Sequence, residues 1–70
     1  MAAGHTIMLN GAPHPVAGPQ TVAALLEALG LAGRPVVVEL DGRAISPSAH
    51  LTTEVKPGAK VELVTLAAGG

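Results

Sequence analysis

The stretch TVAALLEALG, residues 21–30, predicts the helix on which the rest of this fold depends. Four apolar residues recur in it at the spacing i, i+3, i+4 and i+7: Val22, Leu25, Leu26 and Leu29. They form one apolar stripe along a helix of about nine residues, which is too short to be stable alone in water. The helix must therefore pack this stripe against a sheet.

Both ends of the helix carry residues that are typical of helix ends. Thr21 is the expected N-cap, because its hydroxyl oxygen can accept a hydrogen bond from a free amide one turn later. Gly30 suits the position just past the last turn, where a left-handed conformation is favourable. Glu27 lies off the apolar stripe and should face water.

Before the helix, the segment HTIMLNGAPHPV predicts a β-hairpin. Asn10 and Gly11 form the turn, because both residue types tolerate a positive φ. Ile7 and Leu9 should share one face of the first strand, with Met8 on the other. The two prolines of the second strand cannot donate hydrogen bonds within a sheet, so this strand should be short, irregular or at an edge.

After the helix, VVVEL and RAI predict a second hairpin around Asp41 and Gly42. Alternation assigns the side chains of its first strand to two faces: Val38 and Leu40 inward, Val37 and Glu39 outward. In the next segment, SPSAHLTTEV, a turn or a single helical turn is expected at Pro47, with Leu51 and Val55 as apolar anchors.

The last strand, KVELVTL, follows a predicted type II turn at Pro57 and Gly58. Its alternation places Val61 and Leu63 inward and Glu62 and Val64 outward. The order of elements is ββα, then ββ, a turn and β. We expect an α+β fold in which one helix covers one face of a mixed sheet of four to five strands. The first and last strands, which alternate most regularly, should lie side by side and parallel in the middle.

The composition narrows the possible functions. Four basic residues are scattered, the net charge is -1 and aromatic residues are absent, which argues against nucleic-acid binding. Without cysteine, neither a disulfide nor a thiolate metal site can form. His5, His14 and His50 lack metal-ligand spacing and are interpreted as surface imidazoles. No signal peptide or membrane-spanning run is evident, so we expect a cytoplasmic protein.

The order of elements and the Gly-Gly ending resemble the ubiquitin-like β-grasp fold, and more narrowly the ThiS-type sulfur carriers of thiamine biosynthesis. The segments that carry this resemblance are IMLNG, TVAALLEALG, VVVELDGRAIS and KPGAKVELVTLAAGG. We accordingly expect a β-grasp domain at residues 1–66 and a flexible tail at residues 67–70. The segments GAK and SPSAHL depart from the usual family pattern.

The resemblance implies a non-catalytic carrier whose C-terminal carboxylate, on Gly70, is adenylated and converted to a thiocarboxylate. Ala67, Ala68 and Gly69 complete the tail. A ThiF-like adenylyltransferase would use ATP and Mg²⁺, a donor such as a cysteine desulfurase would supply sulfur, and a ThiG-like thiazole synthase would accept it. The carrier itself would bind no cofactor or metal, and we expect it to be a monomer when free.

Such a carrier also needs a surface on which its partner can dock. Alternation places Met8, Val37, Val64 and Leu66 on the face of the sheet away from the helix, and exposed apolar patches commonly mark interaction sites. Three alternatives remain open. The chain could be a sulfur carrier for another acceptor (molybdopterin, tRNA thiolation or amino-acid sulfur), a ubiquitin-like protein modifier, or a plain interaction domain whose tail has no role.

Overall fold

A computed structural model describes residues 5–66 as a mixed sheet with one helix packed across it. The strands are β1 (His5–Leu9), β2 (Ala12–Val16), β3 (Gln20–Thr21), β4 (Val36–Leu40), β5 (Arg43–Ile45), β6 (Glu54–Val55) and β7 (Lys60–Thr65). The helix α1 spans Val22–Ala28, and a single 3-10 turn spans Pro47–Ala49.

The main sheet has the strand order β2-β1-β7-β4-β5. Strands β1 and β7 pair in parallel, and the other neighbours are antiparallel. This confirms the predicted α+β class, the mixed sheet and the parallel pairing of the first and last strands. Strand β2, with its two prolines, is an edge strand, where its missing hydrogen-bond donors face no neighbour.

The helix ends where its sequence predicts. The hydroxyl oxygen of Thr21 accepts a hydrogen bond from the backbone N–H of Ala24 at 3.0 Å, as an N-cap does. Gly30 has a φ of 75°, and its N–H donates to the carbonyl oxygen of Glu27 at 3.0 Å. This left-handed residue closes the last turn of a helix that is slightly shorter than predicted.

Both predicted hairpin turns have the geometry that their sequences favour. Asn10 and Gly11 have φ values of 50° and 82°, and Asp41 and Gly42 have values of 51° and 83°. Two consecutive positive values are the mark of type I′ turns, whose twist matches that of the flanking strands. Gly58, with a φ of 88°, occupies the left-handed position of the predicted turn before β7.

A second, two-stranded sheet, which the sequence analysis did not predict, joins β3 to β6 at the start of the helix. Beside it, the N–H of Val22 donates to the carbonyl oxygen of Thr53, and the N–H of Ala23 to that of His50, both at 2.9 Å. These bonds satisfy amides of the first helical turn, which have no partner within the helix. Strands of two residues are too short to show an alternating pattern.

The expectation that Leu51 anchors this segment is wrong, because its side chain is 78% exposed. The N–H groups of Thr52 and Thr53 both bond to the carbonyl oxygen of Ala49, so the chain turns at this point and directs Leu51 outward. Val55, the other expected anchor, is buried.

The core lies between the helix and one face of the sheet and is entirely aliphatic. Its buried members are Ile7, Val22, Leu25, Leu26, Val38, Val55 and Val61. Three of them come from the central strands, one each from β1, β4 and β7. Since neighbouring residues of a strand point to opposite faces, the other face of the sheet is left without a helix.

Candidate functional site: the open face of the sheet

The face of the sheet opposite the helix, here called the open face, carries three of the four side chains predicted to form a docking surface, Met8, Val37 and Val64; Leu66 lies just past the end of β7 and lines a groove at the edge of this face. Their exposed fractions are 38% for Met8, 42% for Val37, 57% for Val64 and 53% for Leu66. Met8, Val37 and Val64 alternate along their strands with residues that the helix covers. The predicted orientation of these three is therefore observed, while a role in binding stays a prediction for all four residues.

The register of the sheet brings three of these four residues together. Val37 of β4 lies directly opposite Val64 of β7, and Leu66, two residues after Val64, lines one groove together with Val37. We call these three residues the apolar cluster. Met8 lies opposite Lys60, nearer the start of β7, so Glu62 separates it from the cluster along the strand. Met8 thus shares the face of the cluster but is not contiguous with it.

Two acidic residues on the open face were predicted from the sequence only to point outward. Glu39 of β4 lies directly opposite Glu62 of β7, two pairs along from Val37 and Val64 in the direction of the β4–β5 turn and therefore next to them on the same face. We call them the acidic pair. With Asn10 and the two valines, they line a depression of about 300 Å³. The alternation assigned both glutamates to this face, but only the register places them side by side.

Residues of the two hairpin turns hold the central strand β7 in place. The side-chain oxygen of Asn10 accepts a hydrogen bond from the N–H of Leu63 at 2.7 Å, and that of Asp41 accepts from the N–H of Lys60 at 2.9 Å. Both were predicted as turn residues alone. Because each also bonds to β7, the turns fix the strand from which the open face is built.

Leu66 fixes the point at which the chain leaves the sheet. Its N–H donates to the carbonyl oxygen of Pro35 at 3.0 Å, just beyond the end of β7. Leu66 and Val37 also line an adjoining groove of about 510 Å³, which reaches Leu26 and Leu31 near the end of the helix. The predicted tail residues Ala67, Ala68, Gly69 and Gly70 lie outside the described residues.

Within residues 5–66, no group of three or more His, Cys, Asp or Glu side chains could hold a metal ion. All three histidines are partly exposed. The Nε2 atom of His50 lies 3.4 Å from the carbonyl oxygen of Ile45. The only helix that the structure describes in this part of the chain is far too short to cross a membrane.

Comparison with known proteins relates this fold to one family. The sequence model of the ThiS family matches residues 7–70. The crystal structure of a thiamine biosynthesis protein, ThiS, from Geobacter metallireducens is 37% identical, with a TM-score of 0.80, covering 93% of this chain and 99% of that one. An NMR structure of a thiamine biosynthesis protein from the same organism is also 37% identical, with a TM-score of 0.77 and coverages of 93% and 87%. Comparison with curated proteins gives no significant match.

Proposed function

The chain belongs to the ThiS family of thiamine biosynthesis, and we propose that it carries sulfur as a thiocarboxylate on the C-terminal carboxyl group of Gly70. The observation that carries this proposal is the family match, which continues through the last strand to Gly70. Small carriers of this type are generally not catalysts. The reacting group is then a main-chain carboxylate, and the chemistry belongs to the partner enzymes.

The composition of residues 67–70 suits delivery of that carboxylate to an enclosed active site. Glycine has no Cβ, so Gly69 and Gly70 can pass a narrow channel and adopt conformations that other residues avoid. Ala67 and Ala68 add only methyl groups. Four extended residues span roughly 13 Å, which is enough to reach from a docked domain into the pocket of a neighbour.

The hydrogen bond between Leu66 and Pro35 supports the same proposal from the side of the folded domain. It ties the chain to the sheet at the residue that precedes Ala67. A partner that binds the apolar cluster therefore holds the base of the tail at a defined position. Fixing one end of a short segment reduces the entropy lost when its other end enters an active site.

The chemistry explains why a partner must activate the carboxylate. A free carboxylate is a poor electrophile, so a ThiF-like adenylyltransferase first joins Gly70 to AMP, using ATP and Mg²⁺ and releasing pyrophosphate. A sulfur nucleophile then attacks the acyl carbon, a C–S bond forms and AMP leaves. A cysteine desulfurase is the proposed origin of the sulfur; because it supplies the sulfur as a persulfide, a thiol then reduces the S–S bond of the acyl persulfide and leaves the thiocarboxylate. A ThiG-like thiazole synthase is the proposed acceptor. The carrier contributes no base and binds no cofactor in this scheme.

Intact-protein mass spectrometry tests the proposal directly. The full chain is incubated with the adenylating enzyme of the same organism, ATP, Mg²⁺ and sodium sulfide. We expect an ATP-dependent mass increase equal to the replacement of one oxygen atom by sulfur. A matched variant that lacks Gly69 and Gly70 should fold normally, judged by far-UV circular dichroism, and should show no increase.

Two results would contradict the proposal. One is an unchanged mass for the full chain when the same enzyme preparation thiolates a ThiS-family carrier of another organism. The other is full support of thiamine synthesis in cells by the variant without Gly69 and Gly70, as expected of an interaction domain whose tail has no role. Adducts on lysines of other proteins would instead indicate a protein modifier.

A further inference from the structure

We infer that the acidic pair on the open face receives an arginine or lysine side chain of the adenylating partner, with the apolar cluster packing beside it. This inference rests on the proposed function, because it names the surface chemistry of the enzyme that activates Gly70. It assigns Glu39 and Glu62 a role in recognition that neither has in the folding of the domain.

The register of the sheet places two like charges side by side. Glu39 and Glu62 are direct partners on the antiparallel strands β4 and β7, and both alternate with side chains that face the helix. Side chains in such positions have Cβ atoms about 5 Å apart, and like charges there destabilise a sheet. A local arrangement that opposes folding is expected chiefly where function requires it.

The domain does not compensate this charge with side-chain hydrogen bonds. The side-chain hydrogen bonds among residues 5–66 involve neither carboxylate. Lys60 lies on the same face of β7 two residues before Glu62 and opposite Met8, but it does not line the depression. The two carboxylates are therefore available to an external cation.

The shape and lining of the depression identify the kind of cation. Val37 and Val64 stand next to the acidic pair, so the aliphatic stem of a lysine or arginine can lie on the valines while its charged group reaches the carboxylates. Two carboxylates side by side match the several N–H donors of a guanidinium group. Asn10, held by its bond to Leu63, forms a fixed edge of the depression.

A metal ion is a weaker candidate for the same position. Two carboxylates provide too few ligands, and the part of the chain that the structure describes adds no third His, Cys, Asp or Glu to form such a group. The neighbouring valines also favour an occupant that is itself partly apolar. A basic side chain within an apolar protein surface meets both requirements.

Isosteric substitutions separate charge from shape in a binding experiment. Affinity for the adenylating enzyme is measured by isothermal titration calorimetry for the wild type, Glu39→Gln, Glu62→Gln and Glu62→Lys. We expect each glutamine variant to raise Kd about tenfold and Glu62→Lys to raise it further. The control is Glu27→Gln, which removes an exposed carboxylate from the helix, on the other side of the sheet, and should leave Kd unchanged.

Salt dependence and stability give two independent readings. The wild-type Kd should rise with salt more steeply than that of either glutamine variant, because salt screens the attraction. Without any partner, Glu62→Gln should raise Tm by about 2 °C at low ionic strength, and this gain should vanish near 1 M salt.

The inference is overturned if Glu39→Gln and Glu62→Gln bind as tightly as the wild type while the wild type is thiolated normally. Tighter binding by Glu62→Lys would also overturn it, since that result requires an acidic partner surface. Failure of the proposed function has a different signature, because then the wild type gains no sulfur under any condition.

Discussion

The two faces of the sheet use the same residue type for opposite purposes. On β4, Val38 is 1% exposed and its neighbour Val37 is 42% exposed, and on β7, Val61 is buried while Val64 is 57% exposed. The inward valines join the aliphatic core beneath the helix, whereas the outward valines flank the acidic pair. One face of this small sheet therefore provides its stability, and we propose that the other face provides recognition.

The difference matters because a chain of 70 residues has little stability to lose. Native domains are stable by roughly 0.05–0.15 kcal/mol per residue, and this one has no disulfide to strengthen it. Substitutions on the face that the helix covers, here called the covered face, should therefore remove a large part of the free energy of unfolding. Substitutions on the open face should not. The following predictions are ordered by the expected change in the free energy of unfolding.

The largest effect is expected for Leu25→Ala, beneath the helix. Leu25 is 1% exposed and belongs to the core, so the substitution leaves a cavity and should lower the free energy of unfolding by about 3 kcal/mol. Since the chain has no aromatic residue, urea unfolding is followed by far-UV circular dichroism. Glu27→Ala, at an exposed position of the same helix, should change the value by less than about 0.5 kcal/mol. A loss below about 1 kcal/mol for Leu25→Ala would show that the covered face contributes little.

An intermediate effect is expected for Val38→Ala, with Val37→Ala as its matched partner. The two residues are adjacent on one strand and differ in the face that they occupy. Val38→Ala should lower the free energy of unfolding by about 2 kcal/mol, and Val37→Ala by about 0.5 kcal/mol, the latter mainly from lower strand propensity. Equal losses in the same urea experiment would abolish the distinction between the faces.

The smallest effect on stability is expected for Val64→Thr, which keeps the β-branched shape and adds a hydroxyl group. The free energy of unfolding should change by less than about 0.5 kcal/mol, because the side chain is already half exposed. Binding to the adenylating enzyme should nevertheless weaken by about fivefold, since the interface would bury a polar group among apolar ones. Isothermal titration calorimetry measures this affinity.

Leu51→Thr is the control for that substitution. Leu51 is the most exposed of the large apolar side chains and lies outside the open face, near the start of the helix. Leu51→Thr should leave the affinity for the adenylating enzyme unchanged. If Val64→Thr also left this affinity unchanged, the apolar cluster would not contribute to docking.

Much of the fold could be predicted from local signals in the sequence. The cap at Thr21, the left-handed Gly30 and the turns at Asn10 and Asp41 all depend on residues within a few positions of each other. The assignment of valines to the two faces depends only on the alternation of a strand. Resemblance then supplied the family, which the match over residues 7–70 confirms.

The candidate site was predicted only in part, because its geometry depends on pairing between distant segments. Alternation placed Met8 and Val64 on one face, but the parallel register opposite Lys60 sets Met8 apart from the cluster. The bond from Asn10 to Leu63 likewise joins the first hairpin to the last strand. No pattern within either segment contains this information.

The sequence by itself determined where the helix and the long strands lie, which residues they bury and which family the chain resembles. Each of these follows from periodicity, capping or turn chemistry that acts over a few residues. Only the tertiary structure decided that β4 lies beside β7, that β3 pairs with β6 and that Glu39 meets Glu62. Strand neighbours and register are fixed when the whole core packs together. Only in that arrangement are all buried side chains packed and all buried backbone groups hydrogen-bonded.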